Sequence, residues 1–295
     1  MKVCGCCIVR DAIKHDFPVV EAVKGILPLC DEFIINVGKS DDGTIELVKG
    51  IPGVTVFESE WDENLRRGGE VLSQETNKAV ARCSGDWIFT VQADEVVHER
   101  TLPAIRNALL RYVDVTEVEG LLFDYIHFFG SYKTYQKSFA WYQHEVRIIR
   151  GKCGILSCGD AKGFRLNGRK LRVVHSGGLI HHYGWVRSPE KMVEKTKSFY
   201  RFWHEDRFIE EKFRNIKEHS FWKNLSTIGV FKGEHPAVMK DRIEGSNLSD
   251  YPEKLDESSK FKDFKLFIIN SLHKLGIKGS KNYELLRKNT DTSHF

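Results

Sequence analysis

Residues Gly85 to Glu99 read Gly-Asp-Trp-Ile-Phe-Thr-Val-Gln-Ala-Asp-Glu-Val-Val-His-Glu. Trp87 to Val91 is a short apolar run, rich in aromatic and β-branched residues, as expected of a buried strand. It ends abruptly in Gln92-Ala93-Asp94-Glu95. Burying two adjacent carboxylates is costly, so they are expected at the strand's exposed end or on a cation. In open α/β sheets, ligands bind beyond the carboxyl ends of the strands. The acidic pair is therefore a candidate metal site. The plainer alternative is a solvated loop that caps the next helix.

Working outward, Val3 to Val9, Phe33 to Val37 and Val54 to Phe57 read as three further strands. Between them lie helical patterns at Phe17 to Cys30 and Thr44 to Lys49, and a third at Gly69 to Cys83 leads into Trp87. This alternation of strand and helix predicts an α/β fold with a mainly parallel sheet and helices on both faces. Leu102 to Tyr112 reads as a helix, and Leu121 to Phe129 and Glu145 to Arg150 as strands. Gly151 to Gly178, rich in glycine and basic residues, reads as irregular, and the chain beyond Pro189 as helical.

The 295 residues suffice for one large domain or two small ones. No apolar run approaches the roughly 20 residues that span a bilayer. The opening segment is too soon interrupted by Arg10-Asp11 to read as a secretory signal. Seven cysteines include a Cys4-x-x-Cys7 pair, but no second pair follows at zinc spacing. Reduced, buried thiols in a cytoplasmic protein are expected. A net charge of +4 is too small to argue for nucleic acid, and none is expected as a partner. Phe261 to Phe295 alone carries seven Lys and Arg against three Asp and Glu, around a dense apolar stretch. That segment suits peripheral contact with an anionic membrane face, or a docked amphipathic helix.

Three constellations add chemistry. Asn36 to Thr44, after the second strand, is small and polar enough for a ligand to approach the backbone. It lacks the ending of a P-loop. Gln74 to Ala79 carries Asn77 and Lys78, which could reach the same sheet edge as Asp94. His175 to Arg187 contains the adjacent pair His181-His182, then Tyr183-Gly184-Trp185. Neighbours on a strand point to opposite faces, so at most one of these histidines aims at a shared metal.

Taken together, Gly-Asp-Trp-Ile, Gln92-Ala-Asp94-Glu95 and His182-Tyr-Gly-Trp-Val-Arg resemble the family 2 glycosyltransferases of GT-A fold, over roughly Lys2 to Lys197. The resemblance implies transfer of a sugar from a nucleotide-sugar donor to a glycan or lipid-linked acceptor, with Mn²⁺ or Mg²⁺ on the diphosphate. It implies a GT-A domain over 1–187, with a nucleotide-sugar half to about 100 and an acceptor half from about 101. A helical C-terminal extension over 188–295 follows. By resemblance, Asp94 and His182 bind the metal, and Gln92 holds the first position of the acidic motif. Arg10, Asn36, Asn77 and Lys78, with Gln92 and Asp94, bind the nucleotide-sugar. Gln92 departs from the family's acid, and an amide brings no charge. Metal affinity is then expected to be modest and to depend on the donor diphosphate. The family's uracil-contacting acid after the second strand is also missing.

Inverting transfer needs a carboxylate to take the acceptor proton. Asp160, on a glycine-rich loop, and Glu145, at the head of a strand, are the catalytic candidates, Asp160 being preferred. The aromatic cluster from Phe123 to Tyr142 suits sugar stacking at its tyrosines and core packing at Phe123, Phe128 and Phe129. Lys195 reads as part of a solvated helix face. The competing readings are a non-catalytic nucleotide-sugar-binding or membrane-associated scaffold, and a sugar nucleotidyltransferase. The latter needs glycines that Arg10 to His15 lack.

Overall fold

A computed structural model describes residues 1–214, 228–248 and 281–286. The first half alternates strands and helices: β1 (Val3–Val9), α1 (Val19–Ile26), β2 (Glu32–Gly38), α2 (Thr44–Lys49), β3 (Thr55–Ser59), α3 (Glu70–Val80), β4 (Trp87–Gln92). These four strands are parallel in the order β3-β2-β1-β4. The order reverses between β1 and β4, so a crevice opens beyond their carboxyl ends. Side chains alternate between two cores. Cys7, Phe33, Ile35 and Phe89 join one core with α1, while Cys4, Cys6, Ile34 and Ile88 join the other with Ala79 of α3. Cys4 and Cys7 thus point to opposite faces and form no ligand pair. All seven thiols are free.

The second half begins with β5 (Glu95–Val97) and α4 (Leu102–Tyr112), followed by β6 (Gly120–Phe129), β7 (Ser131–Gln136) and β8 (His144–Arg150). Next come β9 (Ile155–Cys158), β10 (Gly163–Leu166) and the long β11 (Arg169–Trp185). The sheet continues β4-β8-β6-β11-β10-β9, with β8 antiparallel to both neighbours and β11 parallel to β6. The α/β class read from the sequence is therefore observed. Two details differ. The first helix stops at Ile26, where Pro28 sets a 3₁₀ turn over Leu27–Leu29. The stretch 151–178 is not irregular: its basic residues alternate with buried Ile155, Phe164, Leu171 and Val173 on β9 to β11.

After β11 come α5 (Pro189–Tyr200), capped by Ser188, and α6 (Asp206–Phe213). Then β12 (Ile228–Val230) pairs with β7, α7 spans Lys240–Glu244, and β13 (Tyr283–Leu285) pairs with β11. The basic segment Phe261 to Phe295 lies outside the described residues, apart from 281–286. Among the described residues, no helix is long and apolar enough to cross a membrane.

Candidate active site

A cleft of about 1150 Å³ lies at the switch point. Its floor is Ile8 to Asp11 at the carboxyl end of β1 and Val91 to Asp94 at that of β4, and α5 forms one wall. Arg10, Gln92, Asp94, Asp160 and His182, all singled out from the sequence, line it.

Asp94 and Glu95 leave β4 in different directions. Glu95 is fully buried and accepts from Arg147 Nε and Nη2, both at 2.7 Å, and from the Tyr125 hydroxyl at 2.9 Å. It anchors the turn rather than facing the cleft. Asp94 is buried but faces the cleft. One oxygen lies 3.4 Å from Lys195 Nζ and the other 3.7 Å from His182 Nε2. Burial opposes its charge, but His182 when protonated, with Lys195 and Arg187, outweighs that and holds its carboxyl below the usual range. Gly184 makes this approach possible: a Cβ there would stand 2.6 Å from Asp94 Oδ2. The Gly184 carbonyl accepts from Lys195 Nζ at 2.7 Å and from Arg187. Burial pushes the Lys195 ammonium down to about 7. Lys195 is thus part of the site, not of a solvated helix face.

The imidazoles have determinate roles. His127 on β6 pairs across the ladder with His182 on β11. His127 Nε2 lies 2.6 Å from the Tyr142 carbonyl, which only accepts, so Nε2 carries the proton. Burial pushes His127 down to about 3 and His182 to about 4, so both rings are neutral at pH 7. His127 Nδ1 therefore accepts, and His182 Nδ1 donates to it at 3.0 Å. That leaves the His182 Nε2 lone pair facing a carboxylate oxygen 3.7 Å away. No hydrogen satisfies two acceptors at that spacing, whereas a cation between them satisfies both. The donor set fits a divalent metal. The neighbouring His181 points the other way, toward Tyr183 and His98.

Other expected residues are not brought to the cleft. Asn36 is fully buried, donating to the Glu75 carboxylate at 2.9 Å and accepting from Ser59 at 2.6 Å. Lys78 pairs with the same Glu75 at 2.7 Å. Asn77 exchanges hydrogen bonds with the Ser157 backbone, tying α3 to β9. These three satisfy polar groups between α3 and the sheet and do not line the cleft. Glu145 is likewise buried and absent from the cleft lining, its carboxylate accepting from Asn282 at 3.3 Å. Burial pushes it up to about 7. Asp160 is at the rim, paired with Lys162 at 2.6 Å. Phe123 and Phe128 are core, as expected, and so is Tyr125. Trp61, Trp141, Tyr142, Trp185 and Trp203 supply aromatic surface to the cleft. Trp61 and Trp203 carried no spacing signal, and neither did Arg147 nor His127.

No protein-family model matches the chain, and no curated protein matches it. Among solved structures it is similar to S. aureus TarS, at 13% identity over 77% of this chain and 42% of that chain, with a TM-score of 0.38. It is also similar to the glucosyl-3-phosphoglycerate synthase of Mycobacterium tuberculosis in complex with Mn²⁺, uridine diphosphate and phosphoglyceric acid. There the identity is 16% over 43% of each chain, with a TM-score of 0.31. The chain spans less than half the length of either structure.

Proposed function

We propose that this chain is a metal-dependent glycosyltransferase that moves a sugar, with inversion, from a nucleotide-sugar donor to a glycan or lipid-linked acceptor. The observation that carries the reading is the facing pair of acceptors, Asp94 and His182, at the switch-point cleft. These two residues would hold Mn²⁺ or Mg²⁺, which when bound neutralises charge on the donor diphosphate as a Lewis acid. Lys195 and Arg10 bring positive charge to the same cleft and would meet the phosphates. Arg10 lies over the Trp61 ring, 5.9 Å from its centroid. In the transfer step the acceptor hydroxyl oxygen bonds to the anomeric carbon as that carbon's bond to the diphosphate oxygen breaks. The bonding pair leaves with the phosphate, and Asp160 takes the hydroxyl proton. The aromatic walls would pack on sugar C–H faces.

One observation favours a second reading, a non-catalytic nucleotide-sugar binder: the uncharged Gln92 stands beside Asp94 where a second acid would strengthen the metal site. Turnover separates the two. The direct test is thermal stabilisation by a panel of nucleoside diphosphates and nucleotide-sugars, with and without Mn²⁺. A ligand at 100 times its Kd stabilises the fold by about 2.7 kcal/mol. A Mn²⁺-dependent shift with one base, lost in Asp94→Ala, is expected. Equal Mn²⁺-dependent shifts in both proteins would sink the metal assignment, and no shift with any nucleotide would sink the donor.

A further inference from the structure

A second group of metal-ligating side chains lies away from the cleft. Asp124, His144 and His175 sit on three adjacent strands, β6, β8 and β11. Each offers one ligand atom, and those atoms lie within 4.8 Å of one another. Asp124 and His127 are three residues apart on β6, an odd spacing that sends their side chains to opposite faces. Leu122, Val146 and Val173, each two residues from a member of the trio, belong to the core on the α3 side. The trio therefore continues that face of the sheet, with Tyr125 and His127 on the other.

The register shows how the trio is assembled. Asp124 pairs directly with His144 across the antiparallel β6–β8 ladder. His144 Nδ1 and Asp124 Oδ1 are 2.7 Å apart. His175 belongs to a bulge: β11 pairs with β6 at His175 and next at Leu179, spending three residues, Ser176 to Gly178, against one on β6. Gly177 adopts φ +74° within it, and the Ser176 hydroxyl pins it by donating to the Leu122 carbonyl at 2.8 Å. The result places His175 Nδ1 3.8 Å from the same Asp124 oxygen. A carboxylate–histidine ion pair needs only one imidazole. A second one at the same oxygen, its ring 5.5 Å from the first and perpendicular to it, fits a shared cation.

We propose that Asp124, His144 and His175 form a second divalent-cation site, selective for Zn²⁺-class ions over Mg²⁺ and Ca²⁺. Two imidazoles and one carboxylate match the nitrogen-rich sets that borderline cations prefer, whereas hard cations take oxygen. The side chains are about half exposed, at 52% for Asp124 and 48% for His175, so an ion reaches them without opening the fold. Three protein ligands leave a coordination position open toward solvent.

The test is calorimetric titration of Asp94→Asn, which removes the charge of the cleft site, with Zn²⁺ alone. One equivalent is expected to bind, and adding His175→Ala or His144→Ala should weaken it by more than about tenfold, as loss of even an outer partner costs 10- to 100-fold. Both histidines are partly exposed, so an unchanged melting temperature checks that the variants fold. Absence of saturable binding to Asp94→Asn reduces the trio to an ion pair and overturns the site. So does Zn²⁺ affinity indifferent to both histidines, which would place the ion on thiols such as the exposed Cys153.

Discussion

At the scale of single residues, the free Nε2 lone pair of His182 depends on a partner that it does not touch. The Tyr142 carbonyl sets the His127 tautomer, and His127 sets that of His182. His127→Phe keeps the ring packing against Trp141 and Tyr142 but removes the acceptor for His182 Nδ1. Mn²⁺ affinity, read by direct titration, should fall about 10- to 100-fold, the usual effect of losing such a support. Affinity equal to the parent's would show that the relay does not matter. Asp94, Gln92, Arg10, Asp160 and His182 were legible in the sequence because each stands at the end of an apolar run or on a polar loop. Lys195 was not, since only the packing of α5 on the cleft turns its side chain inward. Asn36, Asn77 and Lys78 lie off the cleft for the converse reason: a polar residue near the sheet serves a neighbouring buried polar group as readily as a ligand.

At the scale of elements, the turn after β4 is held by an ion pair with β8. Arg147 occupies a bulge, because β6 pairs with β8 at Ile148 and next at Val146, skipping it. The bulge aims the guanidinium at Glu95, and both are buried. Arg147→Met leaves an uncompensated buried carboxylate and should cost about 3–5 kcal/mol in denaturant unfolding. Adding Glu95→Leu should restore most of that loss, because an apolar pair of similar volume avoids the desolvation penalty. A double variant no more stable than Arg147→Met would mean that the charge is not the cause. Periodicity could not show this pairing, which depends on a one-residue slip between strands that are distant in sequence. The strands between Ile155 and Gly178 escaped for a related reason. Their glycines and basic residues suggest turns, and only the buried alternate positions show the sheet.

At the scale of the whole molecule, four of the buried histidines make the fold acid-sensitive. Burial pushes His15 and His182 down to about 4, and His127 and His181 to about 3, from 6.5. The unfolded chain binds these protons first, so their contribution is complete above 6.5 and is lost as pH falls toward 4. Each contributes up to about 1.4 kcal/mol per pH unit. Glu145 acts oppositely: with its carboxyl raised to about 7, the folded state keeps a proton that the unfolded chain releases from 4.5 upward. Between about pH 4.5 and 6.5 the histidines outweigh it, so stability falls with falling pH, by at most about 4 kcal/mol per pH unit. Urea unfolding at pH 6.5, 5.5 and 4.5 should show steep loss, and a flat profile would contradict this assignment. The sequence by itself determined the α/β class, the four parallel strands and the position of Asp94 just past the end of a strand. Alternation and apolar runs are local properties, and a strand's carboxyl end is read directly from where its run stops. Tertiary structure decided what those ends face. Whether a carboxylate meets an arginine, a lysine or a lone pair depends on register, bulges and helix docking between segments far apart in sequence, as Asp94 and Lys195 are, 101 residues apart. No local pattern encodes those contacts.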